Sequence, residues 1–122
     1  QERGLNMHYL ISILLFVGAA AYADDATIED VSARYDGGDW TFSVTLLHAD
    51  TGWDDYADGW RGVMEDGTVL GTRVLLHPHV NEQPFTRSLG GVSVPAGLDT
   101  VFIEASTNTD GWGKARFART LR

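Results

Sequence analysis

The feature that most constrains the fold of this chain is a two-residue alternation of apolar and polar side chains, repeated in short stretches. In its clearest example, between residues 40 and 46, the apolar positions are Trp40, Phe42, Val44 and Leu46. Successive side chains of a β-strand point to opposite faces, so this pattern predicts a strand with one buried face. After Asp25 the 3.6-residue apolar period of an amphipathic helix is almost absent. The alternation therefore predicts an all-β fold.

Seven strands are predicted from these stretches and from the turn residues between them. They cover residues 27–35, 40–46, a stretch around Trp60, 68–76, 85–94, 100–106 and 114–121. In the first strand Val31, Ala33 and Tyr35 are predicted to share one face, and in the third Trp60, Gly62 and Met64 are predicted to share one. In the sixth, Val101, Ile103 and Ala105 are predicted to face inward. Short strands joined by regular turns predict an antiparallel β-sandwich of the immunoglobulin or fibronectin type III kind.

Two glycine-containing steps carry more local predictions. Asp66-Gly67 is expected to form a tight hairpin, because both residues tolerate positive φ. Gly90-Gly91 lies inside the strand predicted over 85–94, where it indicates a bulge or a break.

The segment that precedes the strands is interpreted as an export signal. Its apolar run from Leu10 to Val17 is shorter than the about 20 residues that cross a bilayer. The run leads to Ala21-Tyr22-Ala23, a step of the kind that signal peptidase cleaves. We therefore expect residues 1–23 to be upstream sequence and a signal peptide, with residues 1–6 lying before the start at Met7. Residues 24–122 are expected to form a single periplasmic or secreted domain with no stable membrane anchor after cleavage.

Charge and composition limit the partners and the chemistry. The chain has 17 acidic and 9 basic residues, a formal net charge of -8, so it repels nucleic-acid phosphates and anionic membranes. The lack of cysteine excludes disulfides and thiolate metal sites. There is no G-x-S-x-G nucleophile motif and no Gly-rich phosphate loop. The protein is accordingly predicted to bind a ligand rather than to be an enzyme.

Alternating strand directions are expected to bring three connections, residues 49–57, 77–84 and 108–113, to one end of the sandwich, here called the loop end. These connections and the strand end before them carry His48, Asp50, Trp53, Asp54, Asp55, Asp58, His77, His79, Glu82, Asp110 and Trp112. The opposite end is predicted to hold plain turns. Because binding sites concentrate on loops held by a rigid scaffold, the loop end is the predicted site.

A divalent metal is the first hypothesis for the loop end. His77 and His79 lie two residues apart, so an extended backbone would point both rings to one side. Together with His48, and with Glu82 or Asp110 completing the shell, they form a ligand set suited to zinc or copper. The competing interpretation makes His48 a partly buried residue bonded to a loop carbonyl, and residues 77–79 an ordinary polar loop.

Calcium is the second hypothesis for the loop end. Its donors would be Asp50, Asp54, Asp55 and Asp58. Their order does not follow the EF-hand pattern, and a solvated acidic loop is the alternative.

The third candidate is an organic ligand. Trp53, Tyr56 and Trp112 could stack on a sugar ring or contact a protein, such as another periplasmic protein. In the opposing interpretation, both Trp side chains fold over the open end of the core and the domain is a structural accessory.

Three stretches carry a resemblance to a known family. They are LLHADTGWDDYADGW at 46–60, GTVLGTRVLLHPHVNEQPFTRSL at 67–89 and VPAG at 94–97. The chain resembles a family of small exported proteins of proteobacteria over nearly its whole length after residue 23. This resemblance implies a periplasmic location and a single sandwich domain, and it implies no activity.

Overall fold

Two antiparallel sheets face each other in residues 24–121, the part of the chain that the structure, a computed structural model, describes. The predicted all-β sandwich is confirmed. The predicted signal segment and the residues before it lie outside the described part. Within residues 24–121 no helix is long and apolar enough to cross a membrane.

Eight strands make up the two sheets in this range. They are β1 (Thr27–Asp36), β2 (Asp39–Leu47), β3 (Ala57–Val63), β4 (Val69–Val74), β5 (Phe85–Val92), β6 (Thr100–Thr107), β7 (Gly111–Trp112) and β8 (Phe117–Thr120). One sheet has the order β1-β2-β5; the other has the order β4-β3-β6, with β7 and β8 both paired to β6. The fourth strand therefore pairs with β3, whereas constant-type immunoglobulin domains add it to the opposite sheet.

The core lies between the sheets and follows the predicted alternation. Phe42, Val44 and Leu46 are all at most 1% exposed, and Trp60 at the middle of β3 is equally buried. From β6 come Val101, Ile103 and Ala105, as predicted. Burial of such large apolar side chains stabilises the fold by about 1.5–3 kcal/mol each, which offsets the lack of disulfides.

The two glycine predictions are confirmed. Gly67 has a φ of 93° and donates its N–H to the Met64 carbonyl at 2.9 Å, which closes the hairpin between β3 and β4. At Gly90-Gly91 the register shifts, since Trp40 pairs with Val92 and Phe42 with Leu89. β5 therefore holds a bulge rather than a break.

The structure refines the predictions for three strands. Val31, Ala33 and Tyr35 share one face of β1 as predicted, but Tyr35 is 59% exposed because it pairs with Trp40 beside the β1–β2 turn at the open end of the sandwich. After Gly62 the register between β3 and β4 shifts, and Met64 lies in the hairpin outside β3. The last predicted strand, 114–121, is present in a shorter form as β8, and the additional short strand β7 lies in the predicted 108–113 loop.

Candidate functional site

The three predicted connections do meet at the loop end, and hydrogen bonds join them. The His48 backbone N–H donates to Gln83 Oε1 at 3.0 Å, which links the first connection to the second. Tyr56 and Asn108 link the first to the third: the Tyr56 N–H donates to Asn108 Oδ1 at 2.8 Å, and the Asn108 N–H donates to the Tyr56 carbonyl at 3.1 Å. The loop end is therefore held by specific bonds and is ordered.

Asp50 is the central tie of this end. Its side chain is fully buried. Oδ1 accepts hydrogen bonds from His48 Nδ1 at 2.6 Å and from the Ala57 N–H at 3.0 Å, and Oδ2 accepts one from the His79 N–H at 2.8 Å. Buried carboxylates are stable only when such donors replace water. Asp50 thus fastens the 77–84 connection to the 49–57 connection.

His48 uses both ring nitrogens within the protein. Nε2 lies 3.0 Å from the Asp24 carbonyl oxygen, and Nδ1 lies 2.6 Å from Asp50 Oδ1. Both ring nitrogens are therefore engaged in contacts within the protein rather than open to a metal ion. This arrangement is close to the competing interpretation, in which His48 bonds to a loop carbonyl.

The other predicted metal ligands do not join His48. Glu82 accepts a hydrogen bond from the Arg87 guanidinium at 3.0 Å, and this bond lowers the pKa of Glu82. Asp110 is exposed on the third connection. Only His77 and His79 lie side by side, with ring centroids 4.7 Å apart.

Residues 24–121 contain no group of three or more His, Asp or Glu arranged to hold a metal ion. The structure thus gives no support to the predicted zinc or copper set, nor to the predicted calcium set. Of the four calcium candidates, Asp50 and Asp55 both contact His48, the Asp58 carboxylate accepts a hydrogen bond from the Ser106 hydroxyl, and Asp54 is exposed.

The predicted aromatic ligand residues are open to solvent. Trp53 is 65% exposed and meets the half-buried Tyr56 edge to face, with ring centroids 5.5 Å apart. Asn108 holds the backbone below them, since its Nδ2 donates to the Trp53 carbonyl at 2.9 Å. The interpretation in which Trp53 closes the core is wrong, because Trp60 and Phe42 fill the core without it.

Trp112 lies on the outer face of the second sheet. It is 38% exposed, and the Arg61 guanidinium packs on its ring at 3.9 Å from the centroid. Arg61 in turn donates to Glu104 at 2.8 Å. Trp112 is therefore supported from below by a cation–π contact and does not enter the core.

Sequence reasoning missed a second polar cluster beside the loop end. Arg73 and Arg87 line a small cavity of about 90 Å³ together with His77, His79 and two leucines. Burial lowers the pKa of His79, and the nearby Arg87 and His77 lower it further. The sequence did contain a signal for this cluster. In the two-residue alternation of their strands, both arginines fall at inward-facing positions.

Comparison with known proteins gives one informative similarity. No family model matches the chain, and no solved structure matches it. A protein of Halomicrobium mukohataei described as "Putative lipoprotein" is 42% identical to it over 90 residues. These residues make up 73% of this chain and 44% of the relative, so the chain spans less than half of that protein's length.

Proposed function

We propose that this protein is a small exported, non-catalytic module that binds carbohydrate at its loop end through Trp53, Tyr56 and Trp112. The observation that carries the proposal is the 65% exposure of Trp53 on a loop that hydrogen bonds hold in place. Trp53 is not an isolated exposed side chain, because it meets Tyr56 edge to face, and contiguous exposed apolar surface is what marks binding sites.

Export is supported by two independent features. Residues 10–23 have the apolar run and the small-residue step of a signal peptide. The Halomicrobium relative is described as a lipoprotein, and lipoproteins are exported proteins. The resemblance to exported proteobacterial proteins agrees with a periplasmic or secreted location, so we place the module outside the cytoplasm.

Carbohydrate is the ligand class that fits the chemistry of this surface. Sugar rings offer apolar C–H faces that stack on indole and phenol rings, and hydroxyl groups that donate to carboxylates. Asp54 follows Trp53 directly, and Asp110 lies two residues before Trp112; both carboxylates are exposed. The Asn108 bonds hold the loops that carry Trp53 and Tyr56 in one conformation, which reduces the entropy lost on binding.

The test is binding of immobilised glycans to the purified chain. The probes are cello-, manno- and chito-oligosaccharides, compared for the wild type and for Trp53→Ala, Trp112→Ala and Tyr35→Ala. Tyr35 is the matched control, because it is 59% exposed but lies at the opposite end. We expect the two Trp variants to bind at least about fivefold more weakly, the loss of a stacking contact worth about 1 kcal/mol. The Tyr35 variant should bind normally.

Two results would overturn the proposal. One is an absence of binding to every glycan in the panel, which would leave a protein partner as the use of the exposed rings. The other is equal binding by Trp53→Ala and the wild type. Circular dichroism of each variant separates loss of binding from loss of fold.

A further inference from the structure

The small cavity beside the loop end is built from the facing edges of the two sheets. Arg73 lies on β4 opposite Trp60, and Arg87 lies on β5 opposite Val44. Trp60 and Val44 are core residues, so both arginines occupy inward-facing positions on edge strands. Two guanidinium groups therefore line the gap between the sheets, where apolar residues would ordinarily close it.

His79 adds an unusual feature to this cavity. The residue is only 6% exposed, and neither ring nitrogen has a hydrogen-bond partner. Its ring stacks on the Phe85 ring, with the two centroids 4.0 Å apart. The centroid of the His77 ring lies 4.7 Å from that of His79. Arg73 Nε is buried and unpartnered as well. Buried polar atoms without partners cost free energy, so their clustering points to a missing hydrogen-bonding ligand.

The sign of the charge decides which ligand fits. Arg73 and Arg87 remain protonated at all physiological pH values, and two imidazoles stand beside them. Glu82 is the carboxylate that pairs with Arg87, and it is not part of the cavity lining. This group of cationic and neutral donors repels a metal ion and attracts an anion, although the chain as a whole carries a formal charge of -8.

We propose that the cavity between Arg73, Arg87, His77 and His79 binds a tetrahedral oxyanion of the phosphate or sulfate type. Guanidinium groups bind such anions with paired, charge-assisted hydrogen bonds. The cavity volume of about 90 Å³ admits a small anion or the anionic group of a larger molecule. This site is separate from Trp53 and Trp112 and does not depend on the proposed carbohydrate binding.

The experiment is calorimetric titration of the full chain with inorganic phosphate, sulfate, acetate and Zn²⁺ at constant ionic strength and pH 7. The variants are Arg73→Gln and Arg87→Gln, with Arg34→Gln as the matched control. Arg34 is an exposed arginine that pairs with Asp36 away from the cavity. We expect phosphate or sulfate to bind the wild type and Arg34→Gln alike. Each cavity variant should bind at least about tenfold more weakly, since it loses charge-assisted hydrogen bonds to the anion.

A second readout does not depend on the variants. In the wild type, phosphate should shift the NMR signals of the His79 and His77 rings more than those of the His48 ring. The ring nitrogens of His48 are already in contact with Asp50 and Asp24. An absence of phosphate and sulfate binding to the wild type would overturn the proposal, and so would phosphate binding that is unchanged in both cavity variants. Binding of Zn²⁺ in place of the anions would show that the site takes a cation instead.

Discussion

Asp50 determines how the loop end is organised, although sequence reasoning treated it only as a calcium ligand. Its two oxygens accept three hydrogen bonds from donors in both the 49–57 and the 77–84 connections. A buried carboxylate that accepts several hydrogen bonds lets two loops pack without water between them. The arrangement of the loop end therefore depends on a buried residue that joins the two connections.

Replacement of Asp50 by Asn tests this role. An amide keeps one oxygen but turns an NH₂ group toward donors, so at least one of the three bonds is lost and the charge opposite His48 disappears. We expect Asp50→Asn to lower the free energy of unfolding by about 2–4 kcal/mol, measured by urea denaturation.

Asp54→Asn is the control for this change, since Asp54 is exposed in the same connection. It should alter stability by less than about 0.5 kcal/mol. Equal stability of the two variants would mean that the Asp50 hydrogen bonds do not hold the loop end.

His79 offers the opposite prediction. Because its ring nitrogens are buried without partners and its ring already stacks on Phe85, a phenyl group fits the same environment without the polar cost. We expect His79→Phe to raise the free energy of unfolding by about 1 kcal/mol in phosphate-free buffer, measured by urea denaturation. His77→Phe, at an exposed ring, should change it little. A destabilised His79→Phe would show that the ring nitrogens have partners in solution.

At the scale of strands, the alternation predicted what lies inside but not where each strand is interrupted. Phe42, Val44 and Leu46 were assigned correctly because β2 lies in the centre of its sheet and is paired on both sides. The register shift between β3 and β4 after Gly62 was missed because it depends on the pairing with β4, and no local signal marks it. The short strand β7 was missed because it depends on contacts with β6, such as the bond from the Gly113 N–H to the Ala105 carbonyl.

The outer face of the second sheet holds a carboxylate between two arginines. Glu104 on β6 accepts hydrogen bonds at 2.8 Å from Arg61 on β3 and at 2.8 Å from Arg116, which follows β7. Burial by itself raises the pKa of Glu104, but the two arginine hydrogen bonds outweigh it and hold this pKa below its usual value. Glu104 thus connects three segments of the sheet on the face that carries Trp112.

This lowered pKa makes a prediction about stability and pH. A carboxyl group with a lowered pKa in the folded state contributes stability that is fully present above its unfolded pKa and is lost as the pH falls through the folded value. We expect Glu104→Gln to be about 1–2 kcal/mol less stable than the wild type at pH 7. This difference in unfolding free energy should narrow below about pH 4.5, which is near the usual pKa of a glutamate.

Urea denaturation between pH 3 and pH 8 measures this difference. The control is Glu29→Gln, at an exposed position of β1, which should follow the wild type across the range. If the difference in unfolding free energy between Glu104→Gln and the wild type stayed constant with pH, the charge of the Glu104 carboxylate would contribute nothing to stability.

At the scale of the whole molecule, the two ends of the sandwich differ less than the sequence predicted. The convergence of three connections at the loop end could be derived from strand direction alone. The opposite end was expected to hold only turns, yet Tyr35 and Trp40 line a groove of about 490 Å³ there. Arg73 and Arg87 were overlooked because they belong to different sheets, and only the packing of β4 beside β5 brings them to one cavity.

The charge of the whole molecule leads to a final prediction. A formal net charge of -8 on a chain of 122 residues makes the folded surface repel itself, and ion pairs such as Arg34–Asp36 offset only part of this repulsion. Salt shortens the range of these interactions from about 30 Å at 0.01 M to about 3 Å at 1 M. Salt screens the repulsion among many separated carboxylates more than it screens the attraction within ion pairs that are in contact. We therefore expect sodium chloride at 0.5 M to raise the free energy of unfolding at pH 7 by about 1 kcal/mol relative to 0.01 M.

Urea denaturation at the two salt concentrations measures this effect, and the same pair of measurements at pH 4 provides its control. Near pH 4 about half of the exposed carboxylates are protonated, so the net negative charge falls and with it the repulsion that salt can screen. The gain in stability should then shrink or change sign. A loss of stability with salt at pH 7 would instead show that the close pairs at Glu104 and Asp36 contribute more to the electrostatic energy of the fold than its net charge does.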